Sequence, residues 1–134
     1  VDYEGDRSFR VDQPDFFRTK NPEYNSSFAN NYHSAYLFYP VTQPIGKAKS
    51  GLLTLSKGQM TQATRYSLPI ETNFNKFFDL DRAFSVSEVT VDNGKKLFIY
   101  NVHFSAFIKD EVIQAAQLTK LFDNMKAHAD AGDM

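Results

Sequence analysis

Two polar side chains that could do chemistry lie close together near the end of one predicted strand. Asn101 and His103 alternate with apolar residues in a stretch that runs from Lys96 to about Ser105. Side chains of a strand point alternately to its two faces, so Asn101 and His103 share one face. Both faces begin apolar, which predicts a central strand covered on both sides. The two polar side chains then either hydrogen-bond to each other inside the core or face a cleft, where His103 could act on a substrate.

The other candidate residues have simpler explanations. His33 lies in a polar segment, and His128 lies near a helix end, where the helix dipole favours it. Arg7 with Arg10, and Lys47 with Lys49, could each bind phosphate, and for the two lysines a solvated surface is the simpler interpretation.

Several kinds of site are excluded or disfavoured by composition and spacing. The chain has no cysteine, which removes disulfides, thiolate metal sites and a cysteine nucleophile. It has no HxH or HExxH spacing for zinc, no G-x-S-x-G elbow and no Walker loop. A Ser-His-Asp triad that combines His103 with residues distant in sequence stays an alternative.

The composition fits one globular domain without a strong charge. Among 134 residues, 42% are hydrophobic, with 13 Phe and 7 Tyr, so aromatic side chains should dominate the core. The 15 Lys and Arg nearly balance 16 Asp and Glu, so phosphate binding would need a local cluster. The segment contains no signal peptide and no apolar run long enough to span a membrane, and the compartment is unknown.

The first half of the chain predicts a helix followed by strands. Residues 5–20 favour a helix that starts near Asp12, a fair N-cap, and ends at Asn21-Pro22. Two short strands are expected around Phe28 and around residues 36–39. A loop over 40–46 precedes a buried strand over 50–56, and residues 62–68 are expected to be its hairpin partner across 57–59.

The second half predicts a hairpin and a long helix. A loop over 70–82, with one helical turn over 74–78, leads to a strand over 84–91 whose apolar phase slips, which predicts a bulge near Ser87-Glu88. Asp92-Asn93-Gly94 predicts the tight turn to the strand that carries His103. A helix capped by Asp110 and stopped by Gly132 should pack on the core through one apolar stripe: Val112, Ala115, Leu118, Phe122, Met125 and Ala129. The predicted fold class is α+β, a mainly antiparallel sheet or sheets with flanking helices.

Several stretches together resemble the endonuclease/exonuclease/phosphatase family, which has the DNase I-like fold. Residues 2–13 (DYEGDRSFRVDQ) resemble the segment after that family's first metal-binding glutamate. Residues 50–57 (SGLLTLSK) and 65–69 (RYSLP) resemble its "G-N/L-x-x-L-S-R/K" strand and the stretch that follows. Residues 98–104 (FIYNVHF) resemble its "v-x-N-T-H-L" strand, and residues 111–125 resemble the next helix, with its glutamine pair. The parts occur in family order over nearly the whole chain.

The resemblance implies the central part of a DNase I-like α/β sandwich, with residues 1–134 as a single partial domain. It makes His103 the catalytic histidine that hydrogen-bonds the scissile phosphate or acts as general acid, with Asn101 beside it. It places Asp2 next to the missing metal ligand and makes Arg7 a phosphate contact. The family's metal glutamate would precede Val1, its Gly-Asp-x-Asn motif would follow Met134, and a final Asp-His pair would lie further on.

The resemblance implies that the parent is a phosphodiesterase, nuclease or phosphatase dependent on Mg²⁺ or Mn²⁺. Its substrate would be a nucleic acid, an inositol phosphate or a phospholipid. We expect the 134 residues alone to bind no metal and to show no hydrolysis, and exposed sheet edges to favour a homo-oligomer.

A binding module is the alternative from another class. In it, the aromatic segment 28–39 would dock a nucleic acid or a protein, and His103 would pair with Asn101 inside the core.

Overall fold

The chain forms two α-helices, a 3₁₀ turn and five strands in the part that the structure describes. The structure is a computed structural model that describes residues 1–38, 40–70, 81–91, 94–105 and 111–132. The strands pair antiparallel in two sheets, one of two strands and one of three, so the predicted α+β class is confirmed. In chain order the elements are the 3₁₀ turn Asp6–Ser8, α1 Gln13–Lys20, β1 Asn25–Leu37, β2 Gly46–Ser56, β3 Gln59–Ser67, β4 Ala83–Thr90, β5 Lys96–His103 and α2 Glu111–Asp130.

The first helix begins and ends where the capping residues predicted. The Asp12 carboxylate accepts the backbone N–H of Asp15 at 2.8 Å, which satisfies one of the unpaired donors of the first turn. Pro14 lies in that same turn, where its missing N–H costs nothing. Asn21 is the C-cap. This local prediction is confirmed.

The two short strands expected between residues 26 and 40 are one long strand. β1 continues from Asn25 to Leu37, and its register against β2 shifts twice, between Asn30 and Tyr32 and between Ser34 and Leu37. These irregularities bend the strand without ending its pairing. β2 is also longer than predicted, because Gly46 already pairs with Leu37.

The predicted hairpin between residues 50–56 and 62–68 is wrong. β3 pairs with β4, and β2 pairs with β1. The other edge of β2 is taken by the first residues of the chain: the Tyr3 N–H donates to Lys49 O at 2.7 Å, and the Gly51 N–H donates to Val1 O at 2.9 Å. This second edge of β2 is bonded around Ser50, and β3 pairs with β4 in the second sheet.

β4, and not β5, is the central strand of the three-stranded sheet. Six of the eight residues of β4 are buried, and they include residues on both faces, which explains the slip in apolar phase. The predicted bulge near Ser87-Glu88 is wrong, because the register shift lies on β3 between Met60 and Gln62. β5 pairs only with β4 among the described strands, so the prediction that it is central is also wrong.

The main apolar core lies between the three-stranded sheet and α2. Phe84 and Val86 project from the even face of β4 and pack with Leu68 and Leu121. Aromatic and aliphatic side chains from the neighbouring strands and the segment after β5 surround them: Tyr66, Phe98, Tyr100, Val102 and Phe104.

α2 packs on this core with a different face from the predicted one. Gln117 and Leu121 are its buried residues. Leu118, Phe122 and Met125 of the predicted stripe are 41%, 58% and 41% exposed. Gln117 fixes the orientation of the helix through three hydrogen bonds. Its Nε2 donates to the carbonyl of Pro69 at 2.6 Å and to Ser105 Oγ at 3.0 Å, and its Oε1 accepts from the backbone N–H of Ser105 at 3.3 Å.

The two sheets face each other through small and polar side chains. Ser27 Oγ of β1 lies 3.0 Å from Ser87 Oγ of β4. The Asn101 amide of β5 donates to the Leu53 carbonyl of β2 at 3.0 Å. The odd residues of β4 and β5 therefore face the other sheet, and His103 is among them.

Some predicted features lie outside the described residues. They are the helical turn over 74–78, the Asp92-Asn93 half of the turn, the Asp110 cap and Tyr39. In the described part, the helix stop at Gly132, with φ +82°, is confirmed, and no helix is long and apolar enough to cross a membrane. The predicted homo-oligomer through sheet edges stays a prediction.

Candidate functional site around His103

His103 is the last residue of β5 and is exposed. Its Nδ1 atom lies 2.8 Å from Nδ2 of Asn31, a residue that is only 2% exposed. Within the described residues, no hydrogen bond engages the other ring nitrogen, Nε2. One edge of the imidazole is therefore anchored to the protein interior, while the residue as a whole is reachable from solvent.

A bulge in β1 places Asn31 opposite His103. Asn30 pairs with Gly51 and Tyr32 pairs with Ser50, so Asn31 is the extra residue between two consecutive partners. Such a bulge turns one side chain out of the alternation of the strand. Here it directs the Asn31 carboxamide between the sheets and against the imidazole. Sequence reasoning missed Asn31, because a polar Asn/Ser/Tyr segment gives no sign of where its register breaks.

The surroundings of His103 are electropositive. Partial burial of the ring and the guanidinium of Arg82 lower the pKa of the imidazole below its usual 6.5. Arg82 is 8% exposed, and its Nε lies 3.3 Å from Ser105 Oγ, just beyond the end of β5. A neutral imidazole in a positive local potential suits contact with an anionic group.

The lowered pKa predicts a pH-dependent stability. Because the folded state holds the His103 proton less tightly, the unfolded state binds more protons just below pH 6.5. The contribution of His103 is fully present above pH 6.5 and is lost as the pH falls through the lower folded pKa. Urea denaturation between pH 5 and 7.5 should show stability rising with pH up to about 6.5 and levelling off above it, and His103→Gln should flatten the rise. An unchanged slope in the variant would contradict the lowered pKa.

Asn101 shares the face of His103 but uses its amide elsewhere. Its Nδ2 donates to the Leu53 carbonyl at 3.0 Å and lies 3.3 Å from Thr54 Oγ1, both on β2. The Asn101 amide therefore ties the two sheets together. The carboxamide that contacts the imidazole is that of Asn31, and a catalytic role for Asn101 stays a prediction.

Arg7 and Asp2 form a separate pair. Arg7 donates through Nε to Asp2 Oδ2 at 3.0 Å and through Nη2 to Asp2 Oδ1 at 2.6 Å. The carboxylate raises the pKa of the Arg7 guanidinium. The Arg7 side chain is 65% exposed, and among the described residues no hydrogen bond or ion pair joins it to His103. The structure does not bring Arg7 to the imidazole, and its phosphate contact stays a prediction.

Metal ligands are not clustered in the described part of the chain. No group of three or more His, Asp or Glu side chains lies close enough to hold an ion there. Asp2, which the resemblance places beside a metal ligand, has both carboxylate oxygens engaged by Arg7.

The aromatic segment 28–39 is divided between packing and exposure. Phe28 packs against Tyr3, with ring centroids 6.2 Å apart. Tyr36 and Phe38 are each 59% exposed. Neither contacts His103 among the described contacts.

Comparison with known proteins found no matching family model, no matching curated protein and no matching solved structure.

Proposed function

We propose that this chain contributes the active-site histidine, His103, of a divalent-metal-dependent phosphoester hydrolase of the endonuclease/exonuclease/phosphatase kind. The reaction class is in-line attack of water on phosphorus, and His103 contacts the phosphoryl group. The observation that carries the proposal is an exposed imidazole at the end of β5, anchored through Nδ1 by a buried carboxamide in an electropositive setting.

The position of His103 supports this function over the binding-module alternative. A binding module would pair His103 with Asn101 in the core. Here His103 is exposed, and the Asn101 amide is hydrogen-bonded to β2. The guanidinium of Arg82 acts electrostatically on the imidazole, although the whole chain has a net charge of −1. The positive potential is therefore local, as a phosphate site requires.

The chain's own contribution is limited to contact with phosphate. A bound Mg²⁺ or Mn²⁺ would stabilise charge on the phosphoryl oxygens and activate water. The described residues form no donor set for such an ion, so they do not fit it. Hydrolysis therefore depends on carboxylates that the described residues do not provide.

Phosphate binding in solution tests the proposal. Titration with inorganic phosphate and with dimethyl phosphate, followed by NMR of the three histidine side chains, should shift the His103 resonances most. Replacing the imidazole with a side chain that has no donor removes a hydrogen bond to a charged group, so His103→Ala should weaken phosphate binding about tenfold. His33→Ala is the matched control and should bind as the wild type does. Equal affinity in the His103→Ala and wild-type chains would contradict the proposal.

A further inference from the structure

The contact between Asn31 and His103 defines which ring nitrogen carries the proton. A carboxamide nitrogen is a donor only, so Asn31 Nδ2 at 2.8 Å requires Nδ1 of His103 to accept. In a neutral imidazole, one nitrogen accepts and the other carries hydrogen. The proton of neutral His103 is therefore on Nε2, the nitrogen that has no hydrogen-bond partner among the described residues.

The opposite orientation of the Asn31 amide is less favourable. Asn31 is 2% exposed, and its Oδ1 has no hydrogen-bond partner in the described part of the chain. Rotating the amide by a half turn would place its NH₂ group, with two donors, where Oδ1 now lies. Buried N–H groups without partners are rarer in proteins than under-used carbonyl oxygens, because each leaves a desolvated donor unmet. The observed orientation leaves the Oδ1 acceptor and one amide N–H without a partner among the described residues, whereas the rotated amide would leave two N–H groups without one.

The backbone holds Asn31 in this place. Asn30 and Tyr32, on either side, are paired with Gly51 and Ser50 of β2. A side chain on a bulge that is fixed at both ends approaches His103 from one direction only. The carboxamide therefore acts on the orientation of the ring as well as on its proton.

We propose that Asn31 is a positioning residue that holds His103 as its neutral Nε2–H tautomer, with Nε2–H directed to an oxygen of the phosphoryl group. The assignment rests on the proposed function and deepens it. It makes His103 a hydrogen-bond donor to the phosphate, with no proton transfer in the step. Donors already in place where negative charge develops stabilise that charge without reorganisation. The lowered pKa of His103 agrees with a ring that stays neutral.

Nitrogen NMR of the imidazole tests the tautomer in the 134-residue chain, without turnover. Long-range ¹H–¹⁵N correlation distinguishes protonated from unprotonated ring nitrogens. In the wild-type chain at pH 7.5, Nε2 should be protonated and Nδ1 unprotonated. Asn31→Asp places a carboxylate at the same distance, and this should move the proton to Nδ1 and raise the pKa of His103. Asn31→Ala should give a mixture of tautomers and weaken phosphate binding about fivefold, the value of one hydrogen bond.

Two controls separate the possible outcomes. Asn25→Ala removes another β1 asparagine, which donates to the Gly58 carbonyl at 3.1 Å, and should leave the His103 tautomer unchanged. The wild-type spectrum requires no variant to fold, and a protonated Nδ1 there would overturn the assignment. A tautomer that is the same in the wild-type, Asn31→Asp and Asn31→Ala chains would overturn it as well. Phosphate binding to the wild-type chain is measured separately, so its absence would contradict the proposed function while the tautomer still decides the role of Asn31.

Discussion

Gly51→Ala should destabilise the folded chain by about 3 kcal/mol, near the upper end of the range for overpacking a core. An added Cβ would lie 2.4 Å from Cζ of Phe28 and 2.5 Å from the carbonyl oxygen of Ala29. Side chains can rotate away from a clash, but the Ala29 carbonyl belongs to the backbone of the paired strand. β1 would have to move away from β2. Urea denaturation of the two chains at pH 7.5 measures the difference.

Gly5→Ala is the matched control for this prediction. Gly5 is also buried, but its φ of −79° suits any residue, and an added Cβ would meet nothing closer than Lys47 O at 3.4 Å. The cost there should stay below about 1 kcal/mol, as for an ordinary tolerated substitution. Adding Phe28→Ala to Gly51→Ala removes one of the two clashes, so a double-mutant cycle should show favourable coupling between them. Equal destabilisation by the two glycine variants would contradict the argument.

The consequence of Gly51→Ala reaches the candidate site. Gly51 pairs with Asn30, the residue before Asn31. Displacement of β1 at this point should lengthen the Asn31–His103 hydrogen bond and alter the His103 resonances even in the molecules that remain folded. The glycine of the stretch that resembles the family's "G-N/L-x-x-L-S-R/K" strand thus has a physical reason, because only a residue without a side chain fits between Phe28 and the neighbouring backbone.

Features that depend on neighbouring residues were predictable from the sequence. Asp12 caps α1, and Gly132 follows α2 in the left-handed region, as the residue types indicated. The hairpin between β4 and β5 forms where the Asp-Asn-Gly turn placed it. Period-two alternation also assigned the two faces of β5 correctly. Each of these is a local steric or hydrogen-bonding preference, which a stretch of a few residues contains in full.

The pairing of strands was not predictable in the same way. Alternation says which face of β2 is buried but not which strand lies beside it. β1 pairs along the whole of one edge of β2, Val1–Tyr3 bonds to the other edge around Ser50, and β3 pairs with β4 although only Lys57 and Gly58 separate it from β2. This outcome depends on competition between segments that are distant in sequence. Short connections favour a hairpin only when the edge is available.

The prediction of which face of α2 is buried was wrong for a different reason. An apolar stripe predicts the buried face when packing is governed by apolar area alone. Gln117 is fully buried because its amide joins Pro69 and Ser105, two points on the loops at the end of the sheet. The hydrogen bonds of a buried, fully paired amide can stabilise this orientation of the helix more than burial of Leu118 and Phe122 would stabilise another. The resemblance includes a glutamine pair in this helix, but the apolar stripe does not contain Gln117 and so gives no sign that it is buried.

The candidate site was half predictable. His103 was singled out by its place at the end of an apolar strand, and it lies there, exposed. Its partner was expected two residues away, at Asn101, because period two puts them on one face. The partner in the structure is Asn31, which is 72 residues away along the chain. A bulge is a property of two paired strands, so the sequence of β1 alone could not reveal it.

Phe84→Ala should be the most damaging substitution in the described core, with a cost of about 3–5 kcal/mol. Phe84 is completely buried near the start of β4, and its ring stacks on Tyr66 with centroids 4.8 Å apart. Truncation to alanine removes the apolar area of the ring and leaves a cavity that the surrounding strands cannot close. The adjacent residue, Ala83, pairs with His103, so the loss should also loosen the end of β5. The midpoint of urea denaturation and the width of the His103 resonances measure the two effects.

Phe16→Ala and Phe84→Leu distinguish a cavity effect from a general loss of aromatic area. Phe16 is 52% exposed on α1, so its truncation should cost less than about 1 kcal/mol. Phe84→Leu keeps most of the buried volume and should fall between the wild-type and alanine variants, since a smaller cavity costs less. If Phe84→Ala unfolded at the same urea concentration as Phe16→Ala, the apolar core could not lie between β4 and α2. In that case β4, which holds Ala83 against His103, would have to be supported from its other face, where Ser87 contacts Ser27 of β1.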